Sequence, residues 1–159
     1  MPVTDKWQSL VKEIAALLTT QNKTVSVAES CTGGNISAML TSISGSSNFF
    51  KGGIIAYSKQ VKMNLLQVKK EDLEKYSAVS EQVANQMADG IRSQMQSDYT
   101  IATTGFAGPT GDNVGQVFFA FSSKAKSQVF SQFFEGDRRE IVSQASIKAL
   151  SILLSEIKK

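Results

Sequence analysis

The fold is decided by residues 25–34, which read VSVAESCTGG. A short run with two valines passes into small polar residues and glycines, and a helical pattern follows, so the stretch predicts a strand, a tight turn and a helix. In an open α/β sheet such a turn lies at the carboxyl end of a strand, where these folds bind ligands.

This turn combines a hydroxyl group with a potential anion site. Ser30 is a candidate nucleophile, and Thr32, Gly33 and Gly34 are candidates for substrate contact, because glycines admit a close ligand and a helix start favours negative charge. The alternative interpretation is a Ser or Thr N-cap whose glycines serve only the turn.

The hydrophobic spacing on either side of this stretch predicts the remaining elements. We expect helices over about residues 4–20, 35–43, 58–67 and 80–96 and from 137 onward, and strands over about 23–28, 54–57, 99–104, 114–122 and 128–134. Residues 45–53 and 71–76 are interpreted as irregular connections. The order predicts an α/β fold, a three-layer α/β/α sandwich whose mixed, mostly parallel five-stranded sheet has one antiparallel member among its last two strands.

Composition limits the class of protein. The chain has 159 residues, of which 42% are apolar, and we expect one domain over residues 1–159. The net charge of +3 is spread without a basic block, which gives nucleic-acid binding no support. No apolar run approaches the ~20 residues of a membrane span, and the single cysteine, Cys31, fits a reducing compartment, so we expect a cytoplasmic protein that binds no membrane.

The chain contains no histidine. A Ser-His-Asp triad and a Cys-His pair are therefore impossible within it, and a zinc site would lack imidazole and have at most one thiolate. A hydrolase that uses its own side chains would need Lys, Asp, Glu or Tyr as the proton acceptor.

Lys62 is the candidate base. It precedes Leu65 and Leu66 by three and four residues on the predicted helix that Ser58 caps, so its stem lies over the apolar side of that helix. Burial would lower the pKa of its amine towards the range that a base needs. The alternative is a lysine whose stem covers apolar surface while its head reaches water.

A second unusual loop, residues 104–113, follows the third predicted strand and reads TGFAGPTGDN. Glycines, a proline and threonines after a strand are typical of ligand contact, with an ordinary turn as the alternative. Both unusual loops are expected at one edge of the sheet. Arg138, in the first turn of the last helix, is either a ligand contact or a solvated residue.

Seven blocks of sequence, in order, resemble the CinA C-terminal domain family, whose stand-alone members include bacterial nicotinamide-nucleotide amidases. The blocks are AESCTGG at 28–34, GSS with Phe50, YS with Lys62, AVSE at 78–81, TGFAGP at 104–109, VG at 114–115 and GDR at 136–138. The resemblance implies a metal-independent hydrolysis, without cofactor, of the carboxamide of nicotinamide mononucleotide to nicotinate mononucleotide and ammonia. It also implies a homodimer.

The resemblance further implies the roles of individual residues. The serine that matches Ser30 is the family's nucleophile and the lysine that matches Lys62 is its base. We expect Thr104 to orient the proton, Tyr57 to pack against the pyridine ring beside Gly105, and one of Ser46, Ser47 and Arg138 to hold the phosphate.

Two departures from the family pattern bear on activity. Residues 111–115 form a shorter segment than is usual, and Lys59 replaces a common asparagine, which would lower the pKa of Lys62 further if the two amines approached each other. The shortened segment leaves an alternative open, a non-catalytic nucleotide-binding or regulatory module.

Overall fold

A computed structural model of the chain describes residues 4–159 as alternating helices and strands around one sheet. The helices are α1 (Thr4–Gln21), α2 (Asn35–Thr41), α3 (Lys59–Leu66), α4 (Lys70–Tyr76), α5 (Glu81–Met95) and α6 (Arg138–Ile157). The strands are β1 (Val25–Glu29), β2 (Phe50–Ile55), β3 (Tyr99–Gly105), β4 (Gln116–Ser123) and β5 (Ser127–Phe133). Across residues 4–159, no helix combines the length and the apolar character that crossing a membrane demands.

The five strands lie in the order β2-β1-β3-β4-β5. β1 pairs in parallel with both β2 and β3, whereas β4 is antiparallel to both of its neighbours. The short turn between β4 and β5 makes them the predicted hairpin. The predicted mixed sheet, with one antiparallel member among the last two strands, is therefore confirmed.

Helices cover both faces of the sheet, which gives the three predicted layers. On one face α1, α2 and α6 bury their apolar stripes against inward side chains of the strands, among them Val27 and Ile101. On the other face α3, α4 and α5 pack against small strand residues, including Ala28 and Ala102. Alternate strand residues thus serve opposite cores, as the two-residue period of a strand requires.

The path of the chain creates a crevice beside the carboxyl end of β1. The chain leaves β1 through α2 on one face, forms β2, and then crosses to β3 through α3, α4 and α5 on the other face. The connections after the neighbouring strands β1 and β2 therefore leave towards opposite faces, and such a divergence is where open α/β sheets bind ligands.

The prediction of residues 45–53 as irregular was wrong in its second half. A 3₁₀ turn over Ser46–Asn48 is followed by β2, which begins at Phe50 rather than at residue 54. Gly52 and Gly53 lie within this strand, and glycine suits both positions because helices pack closely on both faces of the strand. A Cβ on Gly53 would lie 2.4 Å from Ser37 Oγ of α2, and one on Gly52 would lie 3.3 Å from Met95 Sδ of α5.

Local patterning was also misjudged between the second strand and α5. Residues 71–76 belong to α4, in which Leu73 is the buried residue, so one apolar residue anchors a highly charged helix. Leu65, predicted to face inward, is 44% exposed. The predicted cap at Ser58 is confirmed, since its hydroxyl accepts from the Val61 N–H. The Ser80 hydroxyl caps α5 in the same way by accepting from the Val83 N–H, and Asp137 forms a capping box with Glu140 at the start of α6.

Candidate active site

Ser30 lies on the turn between β1 and α2. Its N–H donates to the Thr103 carbonyl (3.1 Å), and its own carbonyl accepts from the Gly33 N–H (3.0 Å), so both sides of the residue are fixed by the backbone. Gly33 and Gly34 follow with φ of +58° and +98°, a conformation that other residues rarely adopt. This tight turn directs the Ser30 hydroxyl towards a cavity of about 300 Å³.

Lys62 reaches the same cavity from α3. Its Nζ lies 2.8 Å from Ser30 Oγ and donates to the Ala56 carbonyl at 2.7 Å, while only 2% of the residue is exposed. Thirty-two residues separate the serine and the lysine in sequence. The structure therefore brings together the two residues that the sequence predicts as nucleophile and base.

The environment of Lys62 favours its neutral form. Burial lowers the pKa of its amine from 10.5 to about 8, although the nearby Cys31 opposes the shift. Lys59 is solvent-exposed, so the further lowering considered from the sequence has no support. A neutral amine that donates one hydrogen to Ala56 can direct its lone pair at the Ser30 hydroxyl, which is the arrangement that proton abstraction needs.

Cys31 competes with Ser30 for the role of nucleophile but lies in a less suitable environment. Burial raises the pKa of the Cys31 thiol from 9.0 to about 12, despite the proximity of Lys62. Since the thiolate is the reactive form of cysteine, a thiol with this pKa is unreactive near neutral pH. The structure therefore favours the hydroxyl of Ser30.

The buried lysine makes the stability of the fold depend on pH. Between about pH 8 and 10.5 Lys62 holds a proton in the unfolded chain that it has released in the folded one, so its contribution to the free energy of unfolding rises with pH across this range. We expect the free energy of unfolding of the wild type minus that of Lys62→Met to increase by about 3 kcal/mol as the pH is raised through this range. Urea unfolding of both proteins at pH 7 and at pH 10.5 measures the difference, and a constant difference would contradict the prediction.

The anion site expected at the start of α2 is taken by the side chain of Glu29. Its fully buried carboxylate accepts from the N–H groups of Ile36 (2.9 Å) and Ser37 (3.0 Å). Gly34 is the N-cap residue and makes no side-chain bond, so the Ser/Thr N-cap alternative is also wrong. The charge of the helix start is thus matched by the protein's own carboxylate rather than left for a ligand.

The N–H groups closest to Ser30 remain available. Within the part of the chain that the structure describes, the backbone N–H groups of Cys31 and Thr32 donate to no backbone carbonyl or carboxylate. Cys31 lines the Ser30 cavity, and Thr32 begins the wall of a neighbouring one. Two adjacent donors beside a nucleophile suit an oxygen on which negative charge develops.

The loops after β2 and β3 and the start of α6 complete the wall of the Ser30 cavity. Tyr57, Thr104, Gly105 and Arg138 all line it, as the sequence predicts for one edge of the sheet. Arg138 joins these segments, because its guanidinium donates to Tyr57 Oη (2.7 Å) and to the Gly108 carbonyl. Its position is thus that of a cavity residue and not merely of a solvated first turn.

Thr104 is held in one orientation at the end of β3. The residue is 1% exposed, and its hydroxyl donates to the Ala78 carbonyl at 2.7 Å. The hydroxyl proton is therefore used internally, and the oxygen offers lone pairs to the cavity.

A second cavity, of about 660 Å³, adjoins the first at Arg138. Its wall includes the predicted substrate contacts Thr32, Gly33 and Gly34, together with Arg139. Thr32 contributes little polar surface, because its hydroxyl donates to Glu29 (2.7 Å) and contacts Thr103 (2.8 Å). The two cavities together can hold a ligand with an uncharged end near Ser30 and an anionic end beside the arginines.

Ser46 and Ser47 are not brought to either cavity. They lie in the 3₁₀ turn that precedes β2, whereas the site is built from residues that follow strands. Because β1 and β2 are parallel, these serines lie at the opposite edge of the sheet from Ser30. Their predicted contact with a phosphate does not agree with this placement, and Arg138 is the remaining candidate.

The shortened segment lies outside the Ser30 cavity. Residues 111–113 are exposed, and Thr110 is the last residue of that loop to line the cavity. Within residues 4–159, no group of three or more His, Cys, Asp or Glu side chains could hold a metal ion.

The sequence profile of the CinA C-terminal domain matches residues 7–157. The chain belongs to the CinA C-terminal domain family. It is 42% identical over 149 residues to a CinA-like protein of Endomicrobium trichonymphae, and 42% identical over 158 residues to one of Flavobacterium psychrophilum. These matches cover 91% and 96% of the chain but 35% and 37% of the relatives, so the chain spans little more than a third of their length.

Solved structures of the CinA superfamily share the whole fold. A competence or damage-inducible protein from Enterobacter asburiae superposes with a TM-score of 0.92 at 35% identity, covering 95% of this chain and 98% of that chain. A competence/damage inducible protein from Agrobacterium tumefaciens gives 0.93 at 32% identity, covering 97% and 96%. The recognition of the family from its seven blocks is confirmed.

Three contributions to the site escaped the sequence analysis. Ala56 orients Lys62 through its carbonyl, and Ala78 does the same for Thr104, but a backbone contact leaves no trace in residue type. Glu29 did offer a signal, because an acidic residue that ends an otherwise apolar strand directly before a helix start is suited to the helix dipole.

Proposed function

We propose that this chain is a nicotinamide-nucleotide amidase, which hydrolyses the carboxamide of nicotinamide mononucleotide to nicotinate mononucleotide and ammonia by a Ser-Lys mechanism. The observation that carries the proposal is the 2.8 Å contact between Lys62 Nζ and Ser30 Oγ at the wall of a cavity. A lysine with a pKa of about 8 and a serine are a sufficient nucleophilic pair in a chain without histidine.

Acylation begins with the Ser30 hydroxyl. Its oxygen attacks the amide carbon while the neutral amine of Lys62 takes the hydroxyl proton, which gives a tetrahedral intermediate. The resulting Lys62 ammonium then protonates the amide nitrogen, the C–N bond breaks, and ammonia leaves. The nicotinoyl group remains on Ser30 as an ester, and Lys62 is neutral again.

Deacylation uses the same base. Lys62 removes a proton from a water molecule that attacks the ester carbon, and it returns this proton to the Ser30 oxygen as the ester bond breaks. The carboxylic acid released in this step loses its remaining proton to solvent, which gives the carboxylate of nicotinate mononucleotide. One amine thus serves both steps without a metal or a cofactor.

The backbone beside the nucleophile stabilises the intermediate. The N–H groups of Cys31 and Thr32 are the donors that we assign to the oxyanion, since they lie next to Ser30 and have no carbonyl acceptor within residues 4–159. One such donor typically contributes ~3 kcal/mol to the lowering of the barrier.

The rest of the wall positions the substrate. We assign the pyridine ring to Tyr57 and Gly105, and the phosphate to Arg138, whose guanidinium lines both cavities. The lone pairs of Thr104, whose proton is given to Ala78, orient the protons of the departing nitrogen. A homodimer belongs to the same proposal on the basis of the family resemblance, and a cytoplasmic location on the basis of the single cysteine and the sequence's lack of a long apolar run.

Ammonia release from three amides tests the proposal. The purified chain is expected to release ammonia from nicotinamide mononucleotide, and to do so less efficiently from nicotinamide riboside, because the riboside lacks the phosphate that Arg138 would bind. Glutamine serves as an amide without the ring. Binding of the mononucleotide without ammonia release would instead support the non-catalytic nucleotide-binding module.

A further inference from the structure

The buried carboxylate of Glu29 has no direct role in the reaction proposed above. It lies at the end of β1, immediately before Ser30, and none of it is exposed. Four donors surround it: the Thr32 hydroxyl (2.7 Å), the N–H groups of Ile36 (2.9 Å) and Ser37 (3.0 Å), and the Ser37 hydroxyl (2.8 Å). A buried charge is tolerated only where such partners are present.

These contacts tie the carboxylate to the turn that carries the nucleophile. Thr32 donates to Glu29 and accepts from the Thr103 hydroxyl at 2.8 Å, while the Thr103 carbonyl accepts from the Ser30 N–H. The hydrogen bonds therefore link Glu29 to Thr32, Thr32 to Thr103, and Thr103 to Ser30. It fixes the Thr32 end of the turn against β3 and against the first turn of α2.

We propose that Glu29 is a positioning residue, which holds the Ser30 turn so that the hydroxyl and the adjacent N–H groups of Cys31 and Thr32 face the reacting carbonyl together. This inference rests on the proposed amidase mechanism. Glu29 touches no reacting atom. It acts through Thr32, and through its hold on the start of α2.

The site requires a carboxylate rather than an amide. All four neighbours of Glu29 donate, so two oxygens that only accept satisfy every contact. In Glu29→Gln the shape is nearly the same, but an NH₂ group must face one pair of donors. The hydroxyl of that pair can turn to accept from the amide, but the backbone N–H loses its acceptor, and the turn or the helix start must shift.

The test compares kcat with KM for Glu29→Gln. We expect kcat for nicotinamide mononucleotide to fall about tenfold, which corresponds to one lost hydrogen bond to a charged group, while KM changes less than twofold. The rise of kcat/KM with pH, which we expect the Lys62 pKa of about 8 to set, should occur at the same pH as in the wild type, since Lys62 is unchanged. Labelling of Ser30 by phenylmethanesulfonyl fluoride should slow by a similar factor, because it requires the same hydroxyl and the same donors.

A second variant and a control separate positioning from stability. Thr32→Val removes the link between carboxylate and turn but leaves the cap on α2, and it is expected to lower kcat in the same way. Ser26 lies on the same strand as Glu29 but away from the site, and Ser26→Ala removes its buried 2.6 Å hydrogen bond with Ser97. It is expected to lower the melting temperature with unchanged kcat.

The outcomes are distinct. The positioning role is overturned if Glu29→Gln has the same kcat as Ser26→Ala, or if its activity falls only because KM rises. If Glu29→Gln does not fold, Thr32→Val decides by the same criteria. If the wild type releases no ammonia while its Ser30 is still labelled, the proposed function fails, and the labelling rates of the variants continue to test Glu29.

Discussion

Ser30→Ala is expected to abolish the acyl-enzyme and to lower kcat for ammonia release by at least about 10³-fold, the scale of loss when a nucleophile is removed. Ser30 is the residue whose hydroxyl lies within hydrogen-bond distance of the buried Lys62 amine. Without its oxygen, the Lys62 amine has no hydroxyl to activate among the residues that the structure describes. Rapid quenching followed by mass spectrometry measures the nicotinoyl adduct, and an ammonia assay measures turnover.

Cys31→Ala is the matched control, because it alters the next residue of the same turn. The thiol has a pKa of about 12, so it is unreactive near neutral pH. We expect this variant to keep the adduct on Ser30 and most of the turnover. An adduct on Cys31 in the wild type, or a normal rate in Ser30→Ala, would refute the assignment of the nucleophile.

Lys62 is expected to set the pH dependence of the proposed reaction. Its pKa of about 8 means that the neutral amine, which would be the active form of the base, becomes scarcer as the pH falls below 8. We expect kcat/KM to rise about tenfold per pH unit below pH 8 and to level off above it. Lys62→Met should lose at least about 10³-fold in kcat at every pH, because Lys62 is the base that contacts Ser30 among the residues that the structure describes.

The control for this experiment lies one turn earlier on the same helix. Lys59 is exposed, so Lys59→Met is expected to keep both the rate and the position of the rise. A wild-type profile that stays flat from pH 6 to pH 9, or a Lys62→Met variant with ordinary turnover, would show that another group takes the proton.

The sequence predicted the parts of this fold in which one physical requirement dominates. The strand, turn and helix around Ser30 and the helix that begins after Ser80 depend on local spacing, and all are present. The two candidate loops meet at one edge of the sheet because parallel strands place their carboxyl ends together. The pairing of Ser30 with Lys62 was implied by the family resemblance, and the absence of histidine agreed with it because few other bases remain.

The errors arose where tertiary packing overrides local preference. Gly52 and Gly53 suggested a loop, but both lie in β2. Glycine occurs there because α2 and α5 pack closely on the two faces of the strand. The charged α4 is anchored by one buried residue, Leu73, and a single apolar position is too weak a pattern to predict a helix. Ser46 and Ser47 were assigned by resemblance, and only the topology reveals that they precede a strand instead of following one.

The order β2-β1-β3 also bears on how the candidate site is assembled. Ser30, Lys62 and Thr104 come from three segments that are brought together by parallel pairings across long crossovers. Contacts of this kind form late, because the entropy of closing long loops must be overcome before any of them is made. A nascent chain can therefore form its early helices before these three residues meet, and the candidate site is assembled only when β3 has joined the sheet.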